Sequence, residues 1–279
     1  YILLGAVVLG LGLTSCSDFL NVDRYFRDQQ STERIFSDKD YTLQWLSFCY
    51  SRLQGDNLEV GHSDVCPFNF SDDQVFNERG DRFAKFKRGE YLNSTGGQNA
   101  WKWSYDGIYQ ASILLNELHE NEDLTPEEVT DIRGQARFLR AYFYFELVRR
   151  YQNVPLITKV VTQAEANAAE PASAEQIFDF IISECTELST LLPVDYTKMP
   201  GSEYGRATRG AALALKARAA LYAASPLFNS GNNKSKWVAA AEAAYEIIGQ
   251  SSALGYKLDA SFSNLFGATN TASNEVILV

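Results

Sequence analysis

The side chains best suited to ligand chemistry lie in residues 57–98, a stretch rich in Asp, Asn, Gly and aromatic residues without a sustained helical period. Aromatic rings stack on the apolar faces of sugar rings, while carboxylates, amides and guanidinium groups hydrogen-bond sugar hydroxyls. The stretch supplies both kinds of group. Our candidate ligand site consists of Asn69, Asp72, Asp73, Phe76, Asn77, Arg82 and Phe83.

A structural explanation for the same residues stays open. In a loop of this kind, a phenylalanine more often anchors the chain to the helices beneath it than contacts a ligand. An irregular segment this long is usually functional or disordered. Its aromatic content argues against disorder. The composition therefore favours an ordered loop, with ligand binding as one of its two possible roles.

The same stretch contains the only acidic pair in a predicted loop, Asp72-Asp73, which could suggest catalysis. Adjacent loop acids are more often turn formers or surface charges, and glycoside cleavage needs two carboxylates brought to one cleft. The sequence contains no nucleophile elbow, phosphate-binding loop or HExxH motif. Its two histidines, His62 and His119, have no matched Ser or Cys context. We therefore predict a binding protein and no enzymatic activity.

The cysteines indicate neither a metal cluster nor a disulfide framework. They are widely spaced, with no CxxC pair: Cys16, Cys49, Cys66 and Cys185. His62 and Cys66 could share a ligand, but two ligands without a third rarely form a site. We predict no metal and no cofactor. Cys49 and Cys185 lie on apolar helical stretches and are expected to be small core residues.

Length and charge restrict the possible functions further. The chain has 279 residues, enough for one large domain or two small ones. Its net charge of −10 argues against nucleic-acid binding, which requires a basic face. An acidic balance says little about other partners, because surface charge also keeps a soluble protein monodisperse.

The N-terminal region resembles an export signal. Residues 1–15 are apolar and uncharged, too few to span a bilayer, and typical of a signal-peptide core. The run Leu13-Thr14-Ser15-Cys16 resembles a bacterial lipobox, so we expect processing to leave a lipidated Cys16. A secretory signal followed by a chance cysteine is the alternative. We expect residues 16–36 to form a tether and 37–279 the folded domain.

Both ends of the sequence look cut. There is no initiator Met or basic region before residue 1. The apolar, strand-like run 274–279 has no partner after it. We therefore expect part of the signal peptide and a C-terminal portion to be missing.

Helical periodicity dominates the rest of the chain. In residues 134–157, one apolar stripe includes Phe138, Tyr142 and Phe145, and a second includes Leu139 and Phe143. A helix that is apolar on two sides is normally packed between two others. Helices are predicted over 37–54, 99–121, 125–151, 171–192, 207–228 and 235–250, and the one over 125–151 carries this stretch. Ser37 is expected to cap the first of them, Asn153 can cap the end of the third, and residues 156–161 look strand-like. The last helix has Trp237, Ala240, Ala244 and Ile248 at helical spacing. The pattern predicts a mainly α fold of helical hairpins, similar to tetratricopeptide repeats but without a clean 34-residue period.

The predicted helix over 99–121 begins with three large aromatic residues. Trp101 and Tyr105 are four residues apart on one helix face, which predicts that both lie in the core. Trp103 points in another direction and is expected to reach solvent or a partner protein.

Three stretches resemble the SusD/RagB family, the surface nutrient-binding lipoproteins of Bacteroidetes. The family pattern G-E-A-x-F-L-R-A-x-x-Y-F-x-L-V-x-x-Y-G-x-V-P-L matches from Gly134, with Gln135 replacing Glu and Gln152 replacing Gly. The Trp101-x-x-x-Tyr105-x-x-Ile108 run and residues 204–218 are also similar to the family.

The resemblance implies a SusD-like helical scaffold decorated by long irregular loops. It also implies an outer-membrane, surface-exposed lipoprotein that binds oligosaccharides and passes them to a SusC-like TonB-dependent transporter. The family places part of its ligand surface in the N-terminal loop region, without a motif that identifies single residues. Two alternatives stay open: a repeat-type surface lipoprotein that binds peptides or proteins for import, and an all-α enzyme acting on glycosides.

Overall fold

The computed structural model describes residues 32–53, 89, 100–120, 122–196, 205–266 and 273–278. Within these ranges the chain is mainly helical, as predicted. The helices are α1 Thr32–Phe36, α2 Lys39–Tyr50, α3 Trp101–Glu117, α4 Pro126–Tyr151, α5 Gln163–Ala168, α6 Ala174–Leu191, α7 Arg209–Ala224 and α8 Lys234–Leu254. A 3₁₀ helix follows at Phe262–Phe266. Two short strands, β1 Val154–Pro155 and β2 Pro171–Ala172, pair antiparallel.

The start of α4 is fixed by its own side chains. The Thr125 hydroxyl accepts a hydrogen bond from the Glu128 backbone N–H, and the Glu128 carboxylate accepts one from the Thr125 backbone N–H. Pro126 occupies the first helical position, where its missing N–H costs nothing. This reciprocal arrangement satisfies backbone donors that the first helical turn leaves open. The predicted start of this helix is confirmed.

Helix α4 is the centre of the fold, as its two apolar stripes predicted. Phe138, Phe145, Leu139 and Phe143 are all buried, while Tyr142 is half-buried. Helix α3 packs on one side of α4 and α6 on the other. An apolar stripe on each side is what a helix in this position requires.

Successive long helices run antiparallel. Trp101 at the start of α3 contacts Tyr151 at the end of α4. In the next pair, Gly134 in the first half of α4 lies against Leu188 and Leu192 at the end of α6, whereas Tyr144, further along α4, contacts Phe180 in the first half of α6. Between these contacts, Arg137 binds Glu184 through two parallel hydrogen bonds of 2.9 and 2.8 Å. Helix α7 then packs on α6, and α8 on α7. The predicted scaffold of helical hairpins is confirmed.

Small residues allow the helices to approach closely. A Cβ added to Gly107 of α3 would lie within 3.0 Å of the Phe143 ring on α4. On α7 the alanines that face its neighbours are buried, among them Ala212, Ala219 and Ala224. The alanine-rich sequence of α7 therefore reflects close packing on both of its sides.

Several local predictions differ from the structure. Asp38, rather than Ser37, caps α2 by accepting from the Tyr41 N–H. Asn153 does not cap α4 but accepts a hydrogen bond from the Ala174 N–H at the start of α6. Residues 156–161, expected to be strand-like, are irregular, and the two-residue β1 lies immediately before them.

The burial of two apolar segments also differs from expectation. Residues 32–36, expected to belong to the tether, form α1 and bury Phe36 in the core. On α8, Ala240 is buried as the helical period suggested, but Trp237 and Ile248 are 40% and 66% exposed.

Candidate functional site

The predicted ligand residues lie outside the described part of the chain. This applies to Asn69, Asp72, Asp73, Phe76, Asn77, Arg82 and Phe83, and to the predicted lipidation site Cys16. They remain predictions. The site described below was not identified from the sequence.

A groove of about 460 Å³ lies between the first half of α3 and residues 155–167. We call it the aromatic groove. One side is the face of α3 that carries Trp101, Tyr105, Ile108, Tyr109 and Ser112. The other side consists of β1, the connection that follows it and α5: Pro155, Ile157, Lys159, Val161, Thr162, Gln163, Ala166 and Asn167.

Aromatic rings dominate the α3 side of the groove. Trp101 is 42% exposed and Tyr109 46%. The Trp101 ring is held from behind by Tyr105, at a centroid distance of 5.0 Å, and by the edge of Tyr151 at 5.2 Å. The Tyr151 hydroxyl also accepts hydrogen bonds from the Ala100 and Trp101 backbone N–H groups. Trp101 is therefore fixed at the surface, with part of its ring facing solvent.

The opposite side of the groove is tied to α4 by two side chains of that helix, which carries the family pattern from Gly134 and is called the signature helix below. The Tyr144 hydroxyl donates to the Ile157 carbonyl at 2.8 Å and accepts from the Ile157 N–H at 2.6 Å. Arg140 donates to the Thr158 carbonyl at 2.8 Å. Two neighbouring residues of an irregular segment are thus held by one helix, which fixes the width of the groove.

Burial sets the protonation of the phenols behind the groove. It raises the pKa of Tyr105 above the ordinary phenol value, and the neighbouring Tyr144 adds to this effect. Burial also raises the pKa of Tyr144, although its hydrogen bond with Ile157 and the nearby Arg140 act in the other direction. Both phenols therefore stay neutral and keep their donor protons across the physiological range.

Polar groups are placed along the rim. Lys159, Gln163 and Asn167 are exposed and line the groove. Thr162 caps α5, and the Glu165 carboxylate accepts from the Thr162 N–H and hydroxyl. An aromatic floor with amide and ammonium groups at its edge can stack on an apolar ring face and hydrogen-bond the hydroxyls around it.

The expected burial of Trp101 is wrong, while Tyr105 is half-buried and Trp103, 47% exposed, reaches solvent as predicted. Trp101 is seven residues before the buried Ile108, which places the two side chains within about 20° of each other around the helix axis. The helical period therefore gave no signal that the Trp101 ring would be exposed.

Two kinds of feature are absent from the described ranges. No helix there is long and apolar enough to cross a membrane. Nor do these residues bring together three or more His, Cys, Asp or Glu side chains in an arrangement that could hold a metal ion.

Comparison with known proteins gives a consistent result. Residues 20–221 match the SusD-like family model described as starch-binding and associating with the outer membrane. A SusD-like protein of Formosa agariphila is 29% identical over 205 residues, which cover 69% of this chain and 36% of that protein.

Solved structures share the fold. A SusD-like carbohydrate-binding protein from Bacteroides fragilis is 25% identical, with a TM-score of 0.70 over 88% of this chain and 46% of its own. Surface glycan-binding protein A from Bacteroides thetaiotaomicron, solved in complex with laminarihexaose, is 20% identical, with a TM-score of 0.65 over 86% of this chain and 49% of its own.

The chain thus spans about a third to a half of the length of these relatives. The family model nevertheless covers most of its helical scaffold, including the signature helix α4. The chain belongs to the SusD-like family.

Proposed function

We propose that this protein captures oligosaccharides at the surface of the outer membrane and passes them, uncleaved, to a SusC-like TonB-dependent transporter. A lipid on Cys16 anchors it to the membrane. Family membership supports this function, because the matching model is described as starch-binding and outer-membrane associated. The B. fragilis relative is likewise described as carbohydrate-binding.

The observation in this chain that best supports glycan binding is the aromatic groove. Trp101 and Tyr109 expose ring surface beside the amides of Gln163 and Asn167. Ring surface exposed inside a groove is available to a ligand, and a sugar ring can cover it while its hydroxyls remain hydrogen-bonded. The predicted loop residues, from Asn69 to Phe83, form a second part of the ligand surface in this proposal.

The test is a binding screen of the full-length mature protein against polysaccharides and peptide digests, read as retardation in ligand-loaded native gels. Short oligosaccharides then measure affinity by titration calorimetry. We expect Trp101→Ala to weaken binding about tenfold, which corresponds to about 1.4 kcal/mol. Trp237→Ala is the matched control, because Trp237 is an equally exposed tryptophan on α8. Phe76→Ala, Phe83→Ala and Asp73→Ala test the loop.

If Trp101→Ala did not weaken glycan binding, the aromatic groove would not be the ligand site, and the loop residues would remain as the candidate site. Retardation by peptides alone would instead indicate a peptide-importing protein. Release of new reducing ends from a bound oligosaccharide during long incubation would show an enzyme.

A further inference from the structure

A second exposed aromatic cluster lies where the end of α2 meets the first turns of α3. Phe48 lies in the last turn of α2 and Arg52 in the turn that follows it, while Trp103 and Asp106 share one side of α3. The Arg52 guanidinium carbon lies 4.2 Å from the Phe48 ring centroid and 5.6 Å from that of Trp103. We call these four residues the arginine platform.

The platform is fixed and accessible at the same time. Arg52 Nε forms an ion pair with the Asp106 carboxylate at 3.0 Å. A planar guanidinium stacked on aromatic rings is held in one orientation. Phe48 is nevertheless 40% exposed and Trp103 47%. Little side-chain freedom would be lost when a ligand covers these rings, which favours binding.

The chemistry of the platform is that of saccharide recognition. Two rings offer flat apolar surface, and a carboxylate and a guanidinium beside them offer an acceptor and donors for hydroxyl groups. A purely structural arginine would satisfy the ion pair without two exposed rings beside it. We propose that the arginine platform is a second saccharide-binding site, separate from the aromatic groove. Its ligand class rests on the proposed function.

The position of the platform indicates how it would act. Trp101 of the groove and Trp103 of the platform lie in the first turn of the same helix, on different sides. Their separation is on the order of one helix diameter, about 10–12 Å. A polysaccharide long enough to reach both sites gains affinity from the effective concentration of the second site, whereas a short oligosaccharide occupies one site at a time.

The experiment compares a short oligosaccharide with the parent polysaccharide, using whichever glycan retards the wild type. Four full-length variants are measured: Trp101→Ala, Trp103→Ala, the double variant, and Trp237→Ala as the exposed-tryptophan control. Arg52→Lys is a fifth variant that keeps the charge but removes the stacked plane. Circular dichroism and thermal unfolding confirm that each variant folds.

We expect Trp103→Ala to lower the affinity for the polysaccharide about tenfold and to leave that for the short oligosaccharide within twofold. Arg52→Lys should give a smaller loss, and the double variant a larger loss than either single one. If Trp103→Ala and Trp237→Ala bound the polysaccharide equally well, the arginine platform would not be a second site, and the groove would remain as the site. If Trp103→Ala lowered polysaccharide affinity and Trp101→Ala did not, the aromatic groove would not be a ligand site. No glycan binding by the wild type would overturn both.

Discussion

The hydroxyl of Tyr105 donates a 2.8 Å hydrogen bond to the backbone carbonyl of Pro155. This bond joins α3 to β1, and therefore joins the two sides of the aromatic groove. Since Tyr105 also supports the Trp101 ring, one side chain contributes both to the width of the groove, together with Tyr144 and Arg140, and to the position of Trp101.

Replacement of Tyr105 by Phe tests this relationship. The variant keeps the ring but leaves the Pro155 carbonyl without this donor, so we expect the free energy of unfolding to fall by about 1 kcal/mol. Glycan affinity should weaken severalfold, because the groove loses its cross-link. Urea unfolding and calorimetric titration measure the two effects. Tyr245→Phe is the control, since Tyr245 is 71% exposed on α8; equal behaviour of the two variants would show that the bond contributes nothing.

The end of α4 provides a second test. Gln152 has φ +61° and ψ −89°, in the region that glycine adopts without strain, and the family pattern has Gly at this position. We expect Gln152→Gly to raise the free energy of unfolding by about 1 kcal/mol, because relief of strain exceeds the added chain entropy of glycine.

The matched control is Gln250→Gly, because Gln250 lies within α8. Glycine in a helix should lower the free energy of unfolding there by about 1 kcal/mol. Both variants are compared by urea denaturation. A loss of stability in Gln152→Gly similar to that in the control would show that Gln152 is not strained.

The central helices could be predicted from the sequence, because their apolar periods and caps are local signals. Thr125-Pro126 at the start of α4 and Ser173 at the start of α6 both cap as their sequence predicts. Cys49 and Cys185 are buried, as their apolar surroundings indicated.

The groove could not be predicted in the same way. Its two sides are separated in the chain, and whether Trp101 faces solvent depends on how far residues 155–167 lie from α3. That distance is set by hydrogen bonds from Tyr144 and Arg140 to backbone atoms, which no periodicity reveals. The arginine platform likewise depends on where the end of α2 meets α3.

A pH-dependent contribution to stability is expected at the start of α4. Glu128 forms an ion pair and hydrogen bond with Lys39 of α2 and accepts from the Thr125 N–H; these interactions, the Lys39 bond first, lower the pKa of Glu128 below its ordinary value of 4.5. A carboxyl whose pKa is lower in the folded state stabilises the protein above its unfolded pKa. That contribution is lost as the pH falls through the folded pKa.

Glu128→Gln should therefore lower the free energy of unfolding by about 0.5 kcal/mol at pH 7, a small value because both side chains are partly exposed. The difference from the wild type should disappear below the folded pKa of Glu128. Glutamine still completes the cap, so the comparison isolates the charge. Thr125→Ala, which removes the cap itself, should cost about 1 kcal/mol at every pH. A Glu128→Gln difference that does not change with pH would contradict the assignment.

The packing of α3 on α4 gives a final test through a pair of glycines. A Cβ at Gly107 would overlap the buried Phe143 ring, whereas a Cβ at Gly249 of α8 would meet nothing within 4 Å. Alanine is favoured over glycine in a helix by about 1 kcal/mol, so Gly249→Ala should stabilise the protein by that amount. In Gly107→Ala the same gain is outweighed by an overpacking cost of about 1–3 kcal/mol, since the ring has no free space to enter. Thermal and urea unfolding should therefore shift in opposite directions for the two variants. If Gly107→Ala stabilised the protein as much as Gly249→Ala, α3 would not approach α4 as closely as described, and the aromatic groove that depends on this helix pair would be wider.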